Sequence, residues 1–162
     1  MTNAAIIADS SPLISLAIVE QLTLLPQLYE SVLVPAAVWD EVTVQGLGLP
    51  GAEVVKTSTW LQIETPSSEV LAPLSILVDR GEAEAIALAQ STPDSIVLLD
   101  DARARRVAER LGIRRIGTLG ILRKAKRAGL IKAVKPAIDR LRSQGIYIHA
   151  NLVDAILQDV GE

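Results

Sequence analysis

The chain has 162 residues, enough to bury a full core; 49% of them are hydrophobic and none is Phe, so that core is aliphatic, as in layered α/β folds. There is no cysteine and one histidine, His149, which excludes disulfides, thiolate catalysis and cysteine-ligated zinc and argues against His-based zinc or a Ser-His-Asp triad. The net charge of −3 hides an asymmetry: nine acids face two bases (Lys56, Arg80) over Met1 to Gly81, whereas fourteen bases face two acids (Glu109, Asp139) over Ala102 to Arg142, the kind of stretch that marks a polyanion-facing surface.

In chain order, Ala4 to Asp9 reads as a short buried strand ending in an acid. Pro12 then suits the first turn of a helix, with Ser10 or Ser11 as its N-cap and Leu13 to Glu20 as its body. Leu22 to Tyr29 predicts a second short helix, Val32 to Val34 a strand, and Pro35 the opening of a helix over Ala36 to Val44. Gly46, Gly48, Pro50 and Gly51 break the chain, and Trp60 to Ile63 predicts an edge strand. Gly81 to Gln90 is Ala-rich and helical, Ser95 to Leu99 is a buried strand, and Ala102 to Leu111 is an amphipathic helix ended by Gly112 at C′.

Ile113 to Ile116 predicts a brief strand, and Thr118 the cap of a helix running to Ala128 before Gly129. Lys132 to Ser143 is helical, starting near Val134 so that Pro136 is accommodated. Ile146 to Ile148 is extended and Leu152 to Val160 helical. The whole, 1–162, reads as one domain with 150–162 as its C-terminal helix. Strands alternating with helices imply a mainly parallel sheet covered on both faces, with a site beyond the carboxyl ends of its strands. No apolar run approaches the roughly 18 residues of a membrane span, and Met1 to Ser15 has no basic n-region, so a soluble, cytoplasmic protein without a membrane partner is expected.

Four acidic spots sit beside these apolar runs: Asp9, Glu41, the Glu82/Glu84 pair and the Asp100/Asp101 pair. Carboxylates that distant in sequence, each tied to a core element, suggest a site assembled by folding. Oxygen ligands alone suit Mg2+ or Mn2+, which leave room for water and a phosphate. Taken singly, Asp9 is also a candidate helix cap. Glu41 lies three residues after Val38, on the apolar face of its helix, and is preferred to Asp40. Glu82 and Glu84 fall about 200° apart on a helix, so one at most reaches a shared centre. Glu84, with Ala85, Leu88 and Ala89 close by, is preferred, and Glu82 is the alternative, as a first-turn acid on the helix dipole. One of Asp100 and Asp101 is expected to bind metal and one to cap the next helix. Ser10 and Ser11 are placed to orient a water or phosphate oxygen. Arg103, Arg105, Arg106, Arg123 and Lys124 are placed to hold a flanking nucleic-acid backbone.

The segments Asp-Ser-Ser-Pro-Leu-Ile from Asp9, Val-Pro-Ala-Ala-Val-Trp-Asp-Glu-Val from Val34, Gly-Glu-Ala-Glu-Ala-Ile-Ala-Leu-Ala from Gly81, Leu-Leu-Asp-Asp-Ala-Arg-Ala-Arg from Leu98 and Gly-Thr-Leu-Gly from Gly117, in that order, resemble the PIN-domain superfamily. The resemblance extends from Ala4 to Ile148 and looks most like the PIN-like prokaryotic proteins related to VapC-type toxins. It implies a three-layer α/β/α fold and a Mg2+- or Mn2+-dependent ribonuclease, often a dimer and often the toxin of a pair checked by an antitoxin protein. It places the four family acids on Asp9, Glu41, Glu84 and Asp101, with Ser11 beside the first and Asp100 beside the last. Thr118, in the Gly-Thr-Leu-Gly turn, is structural with a possible phosphate contact. Two positions depart from the pattern: Glu84 stands where typical members have Asp, and Leu99 stands where a Thr usually precedes the fourth acid. A PIN-like binding module with weak or no catalysis is the alternative that the first departure motivates. A phosphorylatable receiver-like domain needs a well-placed Lys, for which the first eighty residues offer only Lys56.

Overall fold

The computed structural model describes residues 2–162. Strand β1 (Thr2–Ala8) leads directly into α1 (Ser10–Ile18), and α2 (Leu24–Leu28) leads into β2 (Tyr29–Pro35). Pro35, which has no N–H to donate, ends β2 and hands the chain to α3 (Ala36–Asp40), which runs on into a π-helical turn over Glu41–Gln45. After α4 (Ala52–Thr57) come β3 (Leu61–Glu64), α5 (Ser68–Leu74), α6 (Arg80–Ser91) and β4 (Ser95–Leu98). The chain closes with α7 (Ala102–Arg110), β5 (Arg115–Ile116), α8 (Thr118–Arg127), α9 (Lys135–Ser143) and α10 (Ala150–Asp159).

All five strands are parallel, in the order β3-β2-β1-β4-β5. The central strand β1 is apolar throughout its buried length because both of its faces are covered. Ile6 packs with Leu13, Leu16 and Leu25 on the side of α1 and α2, joined there by Ile121 and Leu122 of α8 and Ile138 of α9. Its neighbour Ile7 packs on the other side with Ala83 and Ile86 of α6 and Ala104 and Ala108 of α7. The period-two alternation of a strand thus divides one sequence run between two cores, and the result is the three-layer α/β/α sandwich expected. Each fully buried Ile or Leu of β1 and α1 contributes on the order of 1.5–3 kcal/mol.

Chain order places the site. From β1 the sheet is built outward to β2 and β3 on one side and to β4 and β5 on the other, so the strand order reverses between β1 and β4. The connections leaving those two strands diverge there and open a crevice at the carboxyl edge. Asp9 follows the last residue of β1, with its N–H donating to the Leu98 carbonyl at the end of β4 (3.1 Å), and Asp100 and Asp101 follow β4.

Several local expectations are corrected. Asp9, rather than Ser10 or Ser11, holds the N-cap position of the helix after β1, which therefore begins at Ser10, and the second helix ends at Leu28 because Tyr29, fully buried, begins β2. Thr118 does not cap α8: Gly117 holds the N-cap position, and the Thr118 hydroxyl donates to Asp100 instead. Helices α4 and α5 were not anticipated, the first because it follows a Gly/Pro-rich turn and the second because it contains Pro73. Among the described residues no helix is long and apolar enough to cross a membrane.

Candidate active site at the carboxyl edge of the sheet

Asp9 occupies the N-cap position of α1 with extended backbone (φ −80°, ψ 167°), yet its side chain caps nothing in the helix. The residue is 4% exposed, and its Oδ1 is buried without a hydrogen-bond partner. A buried acceptor left unmatched is costly, so such an atom marks a position held for something other than stability. Burial is the main reason its pKa rises from 3.8 to about 7. The Ser10 N–H opposes the rise, while the charges of Glu82, Asp79 and Glu41 add to it.

Gly81, at the start of α6, shows how these groups converge. A Cβ on that residue would lie 3.2 Å from Glu41 Oε2, 3.3 Å from Val38 Cγ2 and 3.4 Å from Asp9 Oδ1. Glycine therefore lets the first turn of α6 sit against two carboxylates from separate elements. Glu41 comes from the first residue of the π-helical turn, a distortion that recurs at functional positions because it redirects side chains. Asp40, exposed, turns instead to Gln45 Nε2 (2.7 Å).

Glu82 stands by this centre, its charge acting on Asp9, whereas the oxygens of Glu84 are engaged by α3 and Arg80. Glu82 has its pKa pushed up to about 6, first by burial and then by Asp79, with the Asp79 N–H opposing and the charges of Asp101 and Glu41 adding. Glu84, the residue preferred from the sequence, is 2% exposed and engaged elsewhere: Oε1 accepts from the Ala37 N–H at the start of α3 (3.3 Å) and Oε2 from Arg80 Nε (3.4 Å). The apolar neighbours used to choose it do mark the buried face of α6, and that face packs on α3 and the sheet.

Asp79 was not anticipated. It begins a reciprocal capping box in which Asp79 Oδ1 accepts from the Glu82 N–H (2.9 Å) and Glu82 Oε2 from the Asp79 N–H (3.2 Å). The spacing Asp79-Arg80-Gly81-Glu82 carries that signal in the sequence. The box fixes where Glu82 stands and adds a third carboxylate whose charge acts on Asp9.

The Asp100/Asp101 pair divides its work. Asp101 caps α7, accepting from the Ala104 N–H (2.9 Å), and its charge reaches Glu82. Asp100 accepts from both the backbone N–H (2.8 Å) and the hydroxyl (2.5 Å) of Thr118, so it ties β4 to the start of α8. Ser10 is buried and Ser11 exposed. Of the basic residues, Arg103 borders a recess of about 340 Å³ with Glu82 and Asp101. Lys124 lies over the Tyr29 ring, 4.7 Å from its centroid. Arg105, Arg106 and Arg123 line a separate cleft.

Among the described residues no group of three or more Asp, Glu or His is arranged to hold a metal ion. The donors nonetheless fit a hard divalent cation of the magnesium type, which takes one or two carboxylates and fills its shell with water and substrate oxygen. Asp9 offers a buried oxygen with no other partner, Glu41 offers Oε2 across Gly81, and every nearby acidic donor is oxygen. A recess of about 630 Å³ bordered by Glu41, Asp79 and Gly81 opens beside them. A family model described as a PIN domain matches residues 5–162. No curated protein matches the chain.

Proposed function

Since the chain belongs to the PIN-domain superfamily and has its nuclease-like α/β fold, we propose that it is a Mg2+- or Mn2+-dependent endoribonuclease. The observation that carries this reading is the unpartnered, buried Asp9 Oδ1 facing Glu41 across Gly81, at the point where the strand order reverses. Asp9 and Glu41 would hold the ion, which supplies charge for the phosphate oxygens and a water of lowered pKa. Glu82, with its pKa raised toward neutrality and its position fixed by the capping box, is suited to take a proton from the attacking water. Asp101 adds negative charge at the rim while Arg103 offers a counter-charge there. Ser10 and Ser11, at the first turn of α1, supply hydroxyls beside Asp9.

The substrate class follows from the basic second half of the chain, whose arginines lie beyond β4. In the cell this reading makes the protein a cytoplasmic toxin of the VapC type, acting as a homodimer and held in check by an antitoxin. Support for a protein partner comes from Leu47 and Leu49, both largely exposed, the latter bordering a groove with Glu41. A binding module without strong catalysis is the second reading, favoured by the fact that among the described residues no group of three or more acids is arranged to hold a metal ion.

The test is an assay on single-stranded RNA with Mn2+, with Mg2+ and with chelator. Cleavage that requires the ion and drops by at least about a hundredfold in Asp9→Asn supports the nuclease. RNA bound equally well with chelator present and never cut supports the module.

A further inference from the structure

We propose that the cleft walled by α7, α8 and α10, on the β5 side of the acid site, is a phosphate subsite for the RNA backbone next to the scissile bond. The identity of the polyanion rests on the ribonuclease reading; the existence and place of the subsite rest on the cleft itself. Its volume is about 630 Å³, and Arg105, Arg106, Arg115 and Arg123 line it opposite an apolar wall that includes Leu152 and Ile156.

None of the four arginines is fully spent on its neighbours. Arg115 has its Nε buried with no hydrogen-bond partner, while its Nη2 meets Glu109 at 3.3 Å. A desolvated guanidinium donor without an acceptor is the counterpart of the orphaned Asp9 oxygen, with the opposite sign. Arg105 is held in place by its Nη1 donating to the Leu99 carbonyl (3.2 Å). Gly117 makes that possible, because a Cβ there would lie 2.6 Å from Arg105 Nη1. Arg106, exposed, has no ion pair among the described residues. Arg123 reaches Asp159 only at 3.7 Å. Against these cations stand Glu109 and Asp100, and both Asp100 oxygens are already taken by Thr118.

The cleft adjoins the acid site. Asp101 and Arg103 border the recess that contains Glu82, while Asp100, Ala102 and Arg105 border the cleft, so the two spaces meet across the first turn of α7. A phosphodiester chain whose reacting phosphate lies by Asp9 and Glu82 would cross that turn and present its next phosphates to the arginines. Charge sign then alternates along the path as the chemistry requires: carboxylates and an ion at the reacting phosphate, fixed guanidinium groups at the flanking ones. Arg115 was missed in the sequence because adjacent Arg114 and Arg115 in the short strand expected over Ile113 to Ile116 give no sign of which one faces a site.

The test is fluorescence anisotropy with a short labelled single-stranded RNA, in chelator so that nothing is cut, over a range of KCl. Arg106→Gln/Arg123→Gln should raise the Kd about tenfold and shallow the slope of log K against log salt by about 1.4, the loss of two phosphate contacts. Arg106→Lys/Arg123→Lys should retain the salt slope, and Arg115→Gln should also weaken binding, with thermal melting confirming that each variant is folded. Unchanged Kd and slope in the double Gln variant overturn the subsite. So does a loss of affinity for an acidic peptide with RNA binding intact, which makes the cleft a protein-docking surface. Cleavage with Mn2+ is scored separately. A wild type that binds RNA through these arginines but never cuts it keeps the subsite and removes the nuclease; one that cuts, with variants of unchanged KM and Kd, does the reverse.

Discussion

The crevice at the carboxyl edge and the seam between α3 and α6 each contain a glutamate of the same helix, and the two glutamates are treated in opposite ways. At the seam, Glu84 is buried and satisfied: the Ala37 N–H and Arg80 supply donors to both of its oxygens. At the crevice, Asp9 has an orphaned oxygen, Glu82 stands among Asp79, Asp101 and Glu41, and both have pKa values driven up by burial and like charge. Burial alone therefore does not mark a functional acid. What sets Asp9 apart is a buried oxygen without a protein partner, because the fold tolerates that cost only where another group supplies the missing contact.

The sharpest way to break this contrast is to exchange which glutamate is lost. Glu82→Gln should cut the cleavage rate by about a hundredfold or more, the usual worth of a proton-transfer group, with the urea midpoint held or raised. Glu84→Ala should cost about 2 kcal/mol of stability, since it leaves the Ala37 N–H without its acceptor, and this should appear as a lower midpoint at unchanged slope. If Glu84→Ala were the inactive variant and Glu82→Gln the unstable one, the assignment of the two residues would be reversed.

A second test uses pH. Asp9 titrates near 3.8 when unfolded and near 7 in the native state, so between those values the native protein holds a proton that the unfolded chain has released. Stability should therefore fall as pH rises from about 4 to about 7, by an amount on the order of 4 kcal/mol at about 1.4 per pKa unit. Glu82 adds a smaller effect of the same sign between 4.5 and about 6. Asp9→Asn should flatten the slope and stabilise the protein at neutral pH without added ion. Added Mn2+ should offset the loss in the wild type, with an apparent affinity that increases through pH 7 as the Asp9 proton is displaced. Chemical denaturation across pH, with and without Mn2+, measures both.

The smallest expected effect is at Gly81. Alanine is the better helix former by up to about 1 kcal/mol, but its methyl would press on Glu41 Oε2 and Asp9 Oδ1. Gly81→Ala should leave stability nearly unchanged and weaken Mn2+ binding several-fold. An unaltered affinity would show that these two oxygens do not share an ion.

The layered fold was legible because long-range order followed from local pattern: the apolar runs that became β1, β2 and β4 are each followed by a helix, and that alternation leaves few topologies open. Asp9 was legible for the same reason, as an acid where an apolar strand stops. The choice between Glu82 and Glu84 was not, because helical periodicity tells which side of α6 is buried but not what it is buried against. The division of Asp100 from Asp101 was likewise hidden, since it depends on Thr118, eighteen residues later. Arg115 lay in a segment whose role appears only when β5 reaches the sheet edge, whereas the capping-box spacing of Asp79 was present in the sequence.

The most direct measurement is calorimetric titration of the protein with Mn2+ at pH 8, wild type against Asp9→Asn. The account predicts an ion held at the carboxyl edge of β1, displaced by excess Mg2+, with affinity reduced more than about tenfold in the variant. Equal titration of the two proteins, or no uptake by the wild type, would contradict it.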